Sequence, residues 1–159
     1  MNPKLSNISV VDDTYKFTLS GLNVSLANAI RRTALSDIPT VAIYTETYKE
    51  NQCIIHANTT RLHNEILKHR LSCIPIHIID LNALPNVYQL ELDMQNNTDQ
   101  MVVVTTEHFK IKNKESKNYL TNEELIKIFP PCAKTNMYID FVRLRPKISD
   151  SIPGEHIKL

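Results

Sequence analysis

The sequence has few of the residues on which several kinds of site depend. Its two glycines are too few for a glycine-rich phosphate-binding loop. Its three cysteines, Cys53, Cys73 and Cys132, are odd in number and widely spaced, and no Cys-x-x-Cys pair occurs. That spacing shows no structural zinc site. We therefore expect no bound metal and no cofactor.

Long apolar runs and an excess of one charge are also missing. No run approaches the roughly 20 apolar residues that span a bilayer, and residues 1–9 lack the apolar segment of a signal peptide. We therefore expect a soluble, intracellular chain. The formal net charge of +1 provides no general basic field to attract nucleic acid. A length of 159 residues suits one domain, or one domain with an insertion.

Residues 25–39 contain the most informative pattern. An apolar stripe with the spacing of a helix is formed by Leu26, Ala29, Ile30 and Thr33. Ser25 is a candidate N-cap, and Pro39 should end the helix. Arg31 and Arg32 lie beside the stripe. Such a helix commonly packs in a core with solvated arginines, so this alternative stays open beside an interface.

Other segments predict a mixture of strands and helices. Alternating residues predict strands at 15–20, 39–44 and 87–94, and the last should pair with 101–106 across a polar turn at 96–99. A second helix should end before Pro75. Residues 110–118 read as a charged loop, and Thr121 with Glu124 predicts a capping box. The strand at 138–144 is apolar on both faces and needs cover on both.

Two motifs about thirty residues apart identify a family. The first is Ser-Leu-Ala-Asn-Ala-Ile-Arg-Arg followed by Ile-Pro, and the second is Asn-Glu-Ile-Leu-Lys-His-Arg-Leu followed by Ile-Pro-Ile. In this order they resemble the alpha-type subunits of multisubunit DNA-directed RNA polymerases. The version they resemble is the third-largest subunit of eukaryotic RNA polymerase II, with its archaeal and large-DNA-virus relatives. The resemblance covers residues 8–80 well and 139–159 weakly.

The resemblance implies an α+β fold. It predicts a dimerisation domain, residues 1–50 and 132–159, interrupted by an inserted mostly-β domain, residues 51–131. Many eukaryotic members carry a cysteine-rich zinc loop after the second motif, which the short segment 80–86 replaces here. The family continues past the segment that begins at Pro153 with further strands and a long helix. We therefore expect a C-terminally truncated fragment rather than a split subunit.

The resemblance also implies a non-catalytic assembly subunit. It should pair with a smaller alpha-like subunit and dock the two large polymerase subunits, without specific nucleic-acid contact and without a membrane. The stripe of Leu26, Ala29, Ile30 and Thr33 is then the dimer interface. The interface with the large subunits comprises Arg31, Arg32, Glu65, His69 and Arg70. The location would be the nucleus in a eukaryote, and the cytoplasm or virion for an archaeal or viral source.

Two other classes of function stay open. One is a free-standing module that binds nucleic acid or protein, against which the near-zero net charge argues. The other is a hydrolase that uses Cys73 or His69, for which no orienting third group is placed. A zinc-protease helix is excluded by spacing, because His63 and His69 are six residues apart and do not share a helix face.

Overall fold

The chain divides into two units, Met1–Thr40 and Val41–Leu159. The structure is a computed structural model that describes residues 2–11, 14–78, 87–149 and 151–159. The segment 80–86, expected to replace a zinc loop, lies outside these ranges. The mixture of helices and strands agrees with the α+β class, whereas the domain boundaries at 50/51 and 131/132 stay predictions.

Unit 1 is a hairpin followed by a helix. Strand β1 (Lys4–Val11) pairs antiparallel with β2 (Thr14–Ser20), and α1 (Val24–Ser36) follows. The ladder shifts register between Ser6 and Ser9, where Asn7 has a φ of 52°. Gly21 connects β2 to α1 with a φ of 72°, and a side chain there would overlap the main-chain oxygen of Asn2. A glycine is therefore required at this turn.

Unit 2 contains seven short strands and two helices within the described ranges. In chain order these are β3 (Ala57–Asn58), α2 (Asn64–Ser72), β4 (Tyr88–Glu91), β5 (Asp93–Gln95), β6 (Val102–Thr105), β7 (Lys110–Asn113), α3 (Asn122–Ile128), β8 (Asp140–Leu144) and β9 (His156–Lys158). A 3₁₀ turn, Thr106–His108, connects β6 to Phe109. No helix in the described part of the chain is long and apolar enough to cross a membrane.

The strand pairing differs from the sequence-based expectation. The predicted hairpin of 87–94 with 101–106 does not form, because β6 pairs with β8, β4 with β7, and β5 with β9. The charged segment predicted as a loop at 110–118 contains β7. The main-chain N–H and C=O groups of a short apolar strand can pair with any of several other strands. Here the burial of side chains selects partners that are distant in the sequence. Asn96, in the segment predicted as the hairpin turn, is buried.

The expected strand at 39–44 is not found. None of the described strands pairs with it. The main chain of Tyr44 instead exchanges hydrogen bonds with Gln52, donating to the side-chain oxygen at 3.1 Å and accepting from the N–H at 2.9 Å. Hydrogen bonds within a local loop thus satisfy the main-chain N–H and C=O groups of Tyr44, which would otherwise have paired with a neighbouring strand.

The core of unit 2 surrounds β8. Phe141, Val142 and Leu144 are buried, so both faces of this strand are covered, as its sequence predicted. Phe109 contacts Phe129 and Phe141 edge-to-face, with ring centroids 5.6 Å apart in each pair. Aromatic pairs favour this edge-to-face geometry. The helices α2 and α3 therefore have a well-packed support.

Helix α3 confirms its predicted cap. The Thr121 hydroxyl accepts from the Glu124 main-chain N–H, and the Glu124 carboxylate accepts from the Thr121 N–H at 2.8 Å. These reciprocal bonds satisfy main-chain donors that a helix start otherwise leaves free. The bond from the Thr121 N–H, and then a bond from the Thr121 hydroxyl, lower the pKa of the Glu124 carboxyl.

Candidate functional site

Helix α1 begins two residues earlier than the predicted N-cap implied. Its N-cap is Asn23, not Ser25, because the Asn23 side chain accepts from the Ser25 main-chain N–H at 2.9 Å. Asn and Ser cap equally well, so the sequence alone did not distinguish them. The helix ends at Ser36, and the Asp37 N–H donates to the Thr33 carbonyl at 2.9 Å. Pro39 follows, consistent with its predicted role.

The predicted stripe lies on one face of α1 and is exposed. All four of its residues are exposed to solvent, namely Leu26, Ala29, Ile30 and Thr33. Leu26 retains 45% and Ile30 retains 52% of their full solvent exposure. No residue of α1 is buried. The helix therefore presents an apolar face that can bind another surface.

The hairpin of unit 1 is equally open. Large apolar residues on both strands are more than half exposed, namely Leu5, Ile8, Val10, Val11, Tyr15 and Phe17. In the described part of unit 1 no residue is buried at all. A two-stranded hairpin and a single short helix are each marginal in water. Unit 1 therefore has secondary structure without a hydrophobic core.

The two arginines of α1 point away from the stripe. At 100° per residue, Arg31 lies about 150° and Arg32 about 110° from the middle of the stripe. Both side chains are exposed. The Arg31 Nε donates to the Asn28 Oδ1 at 3.0 Å, a bond along the same helix face. Apolar and cationic contacts are thus offered on different sides of α1.

Helix α2 brings Glu65 and His69 together. They are four residues apart, which places them on one helix face, and both are exposed. Leu67 and Leu71 are buried and face the core. The second motif therefore combines an anchoring apolar face with an acidic and titratable outer face.

Arg70, predicted with Glu65 and His69, is engaged inside the chain. Its Nε donates to the Phe141 carbonyl at 2.7 Å, and its Nη2 donates to the Asp140 carbonyl at 2.9 Å. The guanidinium thus holds α2 to the main chain of β8. No local pattern could reveal this contact, since the partners lie about 70 residues away along the chain.

The residues of the alternative hydrolase, His69 and Cys73, lie at the C-terminal end of α2. His63 precedes α2 as its N-cap, and Cys73 is the exposed C-cap. Cys53 is buried, and burial raises the pKa of its thiol. Within the described ranges no three His, Cys, Asp or Glu side chains are grouped to hold a metal ion. The expectation of a zinc-free protein stays a prediction.

Cys132 has a feature that its sequence did not reveal. It is exposed in a tight turn in which the Asn136 N–H donates to the Cys132 carbonyl at 2.8 Å. Hydrogen bonds from the Thr135 side chain, and then from the main-chain N–H groups of Thr135 and Lys134, lower the pKa of its thiol to about 7. Such bonds favour the thiolate over the thiol.

Comparisons with known proteins agree with the two motifs. The family model described as RNA polymerase Rpb3/Rpb11 dimerisation domain matches residues 16–140. The subunit Rpo3 of the DNA-directed RNA polymerase of Pyrococcus furiosus is 40% identical over 65 residues, which cover 41% of this chain and 22% of the relative. Subunit 3 of RNA polymerases II, IV and V of Arabidopsis thaliana is 39% identical over 74 residues, which cover 46% of this chain and 21% of the relative.

A longer match extends the comparison through most of the chain. The rpac1 subunit of RNA polymerases I and III of Dictyostelium discoideum is 31% identical over 122 residues, which cover 77% of this chain and 31% of the relative. The chain thus matches about a fifth to a third of the length of these relatives. These comparisons favour a polymerase subunit over the free-standing module and the hydrolase.

We predict that Arg70 stabilises the fold, whereas Glu65 and His69 do not. Arg70→Ala removes two hydrogen bonds from a charged donor and should lower the free energy of unfolding by about 1–3 kcal/mol. Glu65→Ala and His69→Ala should stay within about 0.5 kcal/mol of the parent, as exposed substitutions do. Denaturant titration measures both. The matched control is Arg61→Ala, at an exposed arginine, and an equal loss there would contradict the assignment.

We predict that Cys132 is the most reactive cysteine near neutral pH. Because its pKa is lowered to about 7, its thiolate fraction should rise through that pH, whereas buried Cys53 should react last. Iodoacetamide labelling between pH 5.5 and 9, read by peptide mass spectrometry, gives the rate at each site. Thr135→Val, which deletes the hydroxyl, should move the Cys132 midpoint upward. An unchanged midpoint would show that the Thr135 hydroxyl does not lower the pKa of Cys132.

Proposed function

We propose that this chain, which belongs to the RNA polymerase Rpb3/Rpb11 dimerisation-domain family, is a non-catalytic assembly subunit of a DNA-directed RNA polymerase. It pairs with a second alpha-like subunit, and the pair forms a platform on which the two large subunits assemble. The chain contributes binding surfaces, while catalysis belongs to the large subunits. Its location follows that of the polymerase, in the nucleus or the cytoplasm according to the source.

The observation that carries this proposal is the missing core of unit 1. The described hairpin and α1 bury no residue, although their large apolar side chains are numerous. Removing such area from water is the main favourable term in folding, at about 25 cal/mol per Å². Unit 1 gains this favourable free energy when another protein covers its apolar side chains. Pairing and completion of this unit are then one process.

The family description supports an alpha-like partner. The matching model is a dimerisation domain and includes β2 and α1 from residue 16 onward. We assign the dimer interface to Leu26, Ala29, Ile30 and Thr33. An apolar helix face with two small side chains allows the partner's main chain to approach closely. The partner's own apolar helix is the simplest cover for such a face.

The polar surfaces suit a second type of contact. Arg31 and Arg32 project away from the stripe, and a guanidinium binds carboxylates or main-chain carbonyls with paired hydrogen bonds. On α2, Glu65 and His69 form a separate exposed polar face. We assign these four residues to the docking of the large subunits. Arg70 supports that face from within the chain by fixing α2 to β8.

We predict that Ile30→Asp abolishes pairing. A buried carboxylate without a partner costs several kcal/mol, which is a large share of a typical dimer affinity. Co-expression of the chain with the alpha-like subunit of the same genome, followed by affinity capture and analytical ultracentrifugation, measures the complex. The parent chain alone should associate or aggregate at micromolar concentration.

The matched control is Asn28→Asp. It places the same carboxylate on the opposite side of α1 and keeps an acceptor for Arg31. This variant should pair like the parent. A parent chain that is a monodisperse folded monomer, or pairing that survives Ile30→Asp, would falsify the proposed interface.

We predict that Arg31→Ala and Arg32→Ala separate the two contacts. Both variants should keep the alpha-like partner but recover less of the large subunits, because losing one member of a desolvated charged pair costs about 2–5 kcal/mol. Quantitative mass spectrometry of the captured complexes gives the ratio of each subunit. Full recovery of the large subunits by both variants would show that the arginines are solvated, and would leave the α2 face as the candidate contact.

A further inference from the structure

The charged segment 110–118 of unit 2 has no role in the proposed assembly. It contains four lysines and one glutamate, whereas the whole chain has a formal net charge of +1. The lysines are Lys110, Lys112, Lys114 and Lys117. All of them are exposed except Lys112, which is half-buried. The segment therefore has a local positive charge that the net charge of the chain conceals.

This segment forms an ordered hairpin, the lysine hairpin (residues 110–119). Its first strand is β7, and its return strand reaches Tyr119, which forms a bridge with Lys112. The Asn113 side chain accepts from the main-chain N–H groups of Glu115 at 2.9 Å and of Ser116 at 3.2 Å. These bonds define the turn. The lysines are thus carried by a hairpin of fixed geometry.

Lys117 has a backbone conformation that is costly for a lysine. Its φ is 59°, in the left-handed region that glycine and asparagine enter more readily. Strain of this kind persists where the surrounding structure enforces it, and it is enriched at functional sites. A lysine at a position that other residues would fit at lower cost indicates that its charge is used.

The composition of the lysine hairpin favours a nucleic acid over a protein as its ligand. Apart from Tyr119, its exposed residues are lysine, glutamate, serine and asparagine, while its apolar Ile111 is buried. Protein interfaces have an apolar centre and few lysines, whereas surfaces that bind nucleic acid are more polar and much more positively charged. The lysine ammonium group also contacts phosphate as a point charge.

The aromatic ring of the hairpin favours a duplex over a single strand. Tyr119 is 52% exposed, but the Lys112 Nζ lies 5.6 Å from the centre of its ring, and its hydroxyl donates to the Glu91 carboxylate at 2.8 Å. Proteins that bind single strands stack the bases on open aromatic rings. The Tyr119 ring is already engaged by its neighbours, and a duplex needs no such ring because its bases are stacked on each other.

We propose that the lysine hairpin contacts the phosphate backbone of a DNA duplex without reading its sequence. On an extended chain Lys110 and Lys114 are about 13 Å apart, which corresponds to about four base pairs at about 3.4 Å each. The choice of DNA rests on the proposed function, because a DNA-directed polymerase works on this duplex. Binding of DNA by the hairpin is measured on the chain alone, so its failure is distinct from a failure of assembly.

The test measures fluorescence anisotropy of a short labelled DNA duplex with the full chain at several salt concentrations. The hairpin lies within unit 2, so any association through unit 1 is common to all variants. Each lysine that contacts a phosphate contributes about −0.9 to the slope of log K against log salt, so the parent slope should be about −3 to −4. No binding at low salt, or a slope near zero, would overturn the proposal.

Charge-matched substitutions separate a local site from a general positive field. The double variant Lys110→Gln and Lys114→Gln should reduce the slope to about −2. The control, Lys49→Gln and Lys134→Gln, removes the same charge at exposed lysines elsewhere in unit 2 and should retain the parent slope. Equal reductions in the two variants would show that no site exists at the hairpin.

Lys117→Asn separates the charge of this residue from the turn. Asparagine adopts the left-handed conformation at lower cost, so the unfolding temperature should stay the same or rise. Binding of the duplex should nevertheless weaken about tenfold at about 0.1 M salt, because one phosphate contact is lost. A residue kept for the fold would not combine these effects. Unchanged binding, or a lower unfolding temperature, would count against the proposal.

Two competitors test the other classes of ligand. An oligothymidylate of the same length should bind more weakly than the duplex, because a single strand has the lower charge density. A glutamate peptide should displace the duplex only when its carboxylates greatly outnumber the phosphates, for the same reason. If either competitor binds more tightly than the duplex, the hairpin binds a single strand or an acidic protein segment, and the assignment to duplex DNA is wrong.

Discussion

Strand β8 must be covered on both faces, and unit 2 is arranged around that constraint. Phe141 contacts Phe109 on one side, and Val142 and Leu144 are buried as well. Its main chain is also used, because Arg70 binds two of its carbonyls and the Asn96 amide donates to the Leu144 carbonyl at 3.0 Å. The orientation of α2, and hence of its exposed polar face, follows from how this strand is held.

Unit 1 is stabilised differently from unit 2. Its described residues are held by the main-chain ladder, the Asn23 cap and the turn at Gly21, all local interactions, and none of these residues is buried. Local hydrogen bonds contribute little net free energy because water competes for the same groups. The two units therefore differ in what completes them. Unit 2 carries its own core, whereas the described residues of unit 1 form none, which is consistent with a dimerisation domain.

Short sequence patterns predicted local structure but not the contacts between residues that are distant in the chain. Proline and capping patterns gave the ends of α1 and α2 to within two residues and the cap of α3, because these signals act within one turn. The pairing of β6 with β8 was missed, since short apolar strands fit several partners and only packing chooses. The bonds of Arg70 depend on segments that converge only in the folded chain.

The missing core of unit 1 also matters during protein synthesis. Residues 2–40 leave the ribosome before the strands that stabilise unit 2, and domains generally fold in the order in which they are made. Since the described residues of unit 1 form no core, folding this unit early does not hide its apolar side chains. Chaperones and proteases act on exposed apolar surface of this kind. If the proposed pairing covers this surface, the cellular amount of the chain follows the supply of its partner rather than its own rate of synthesis.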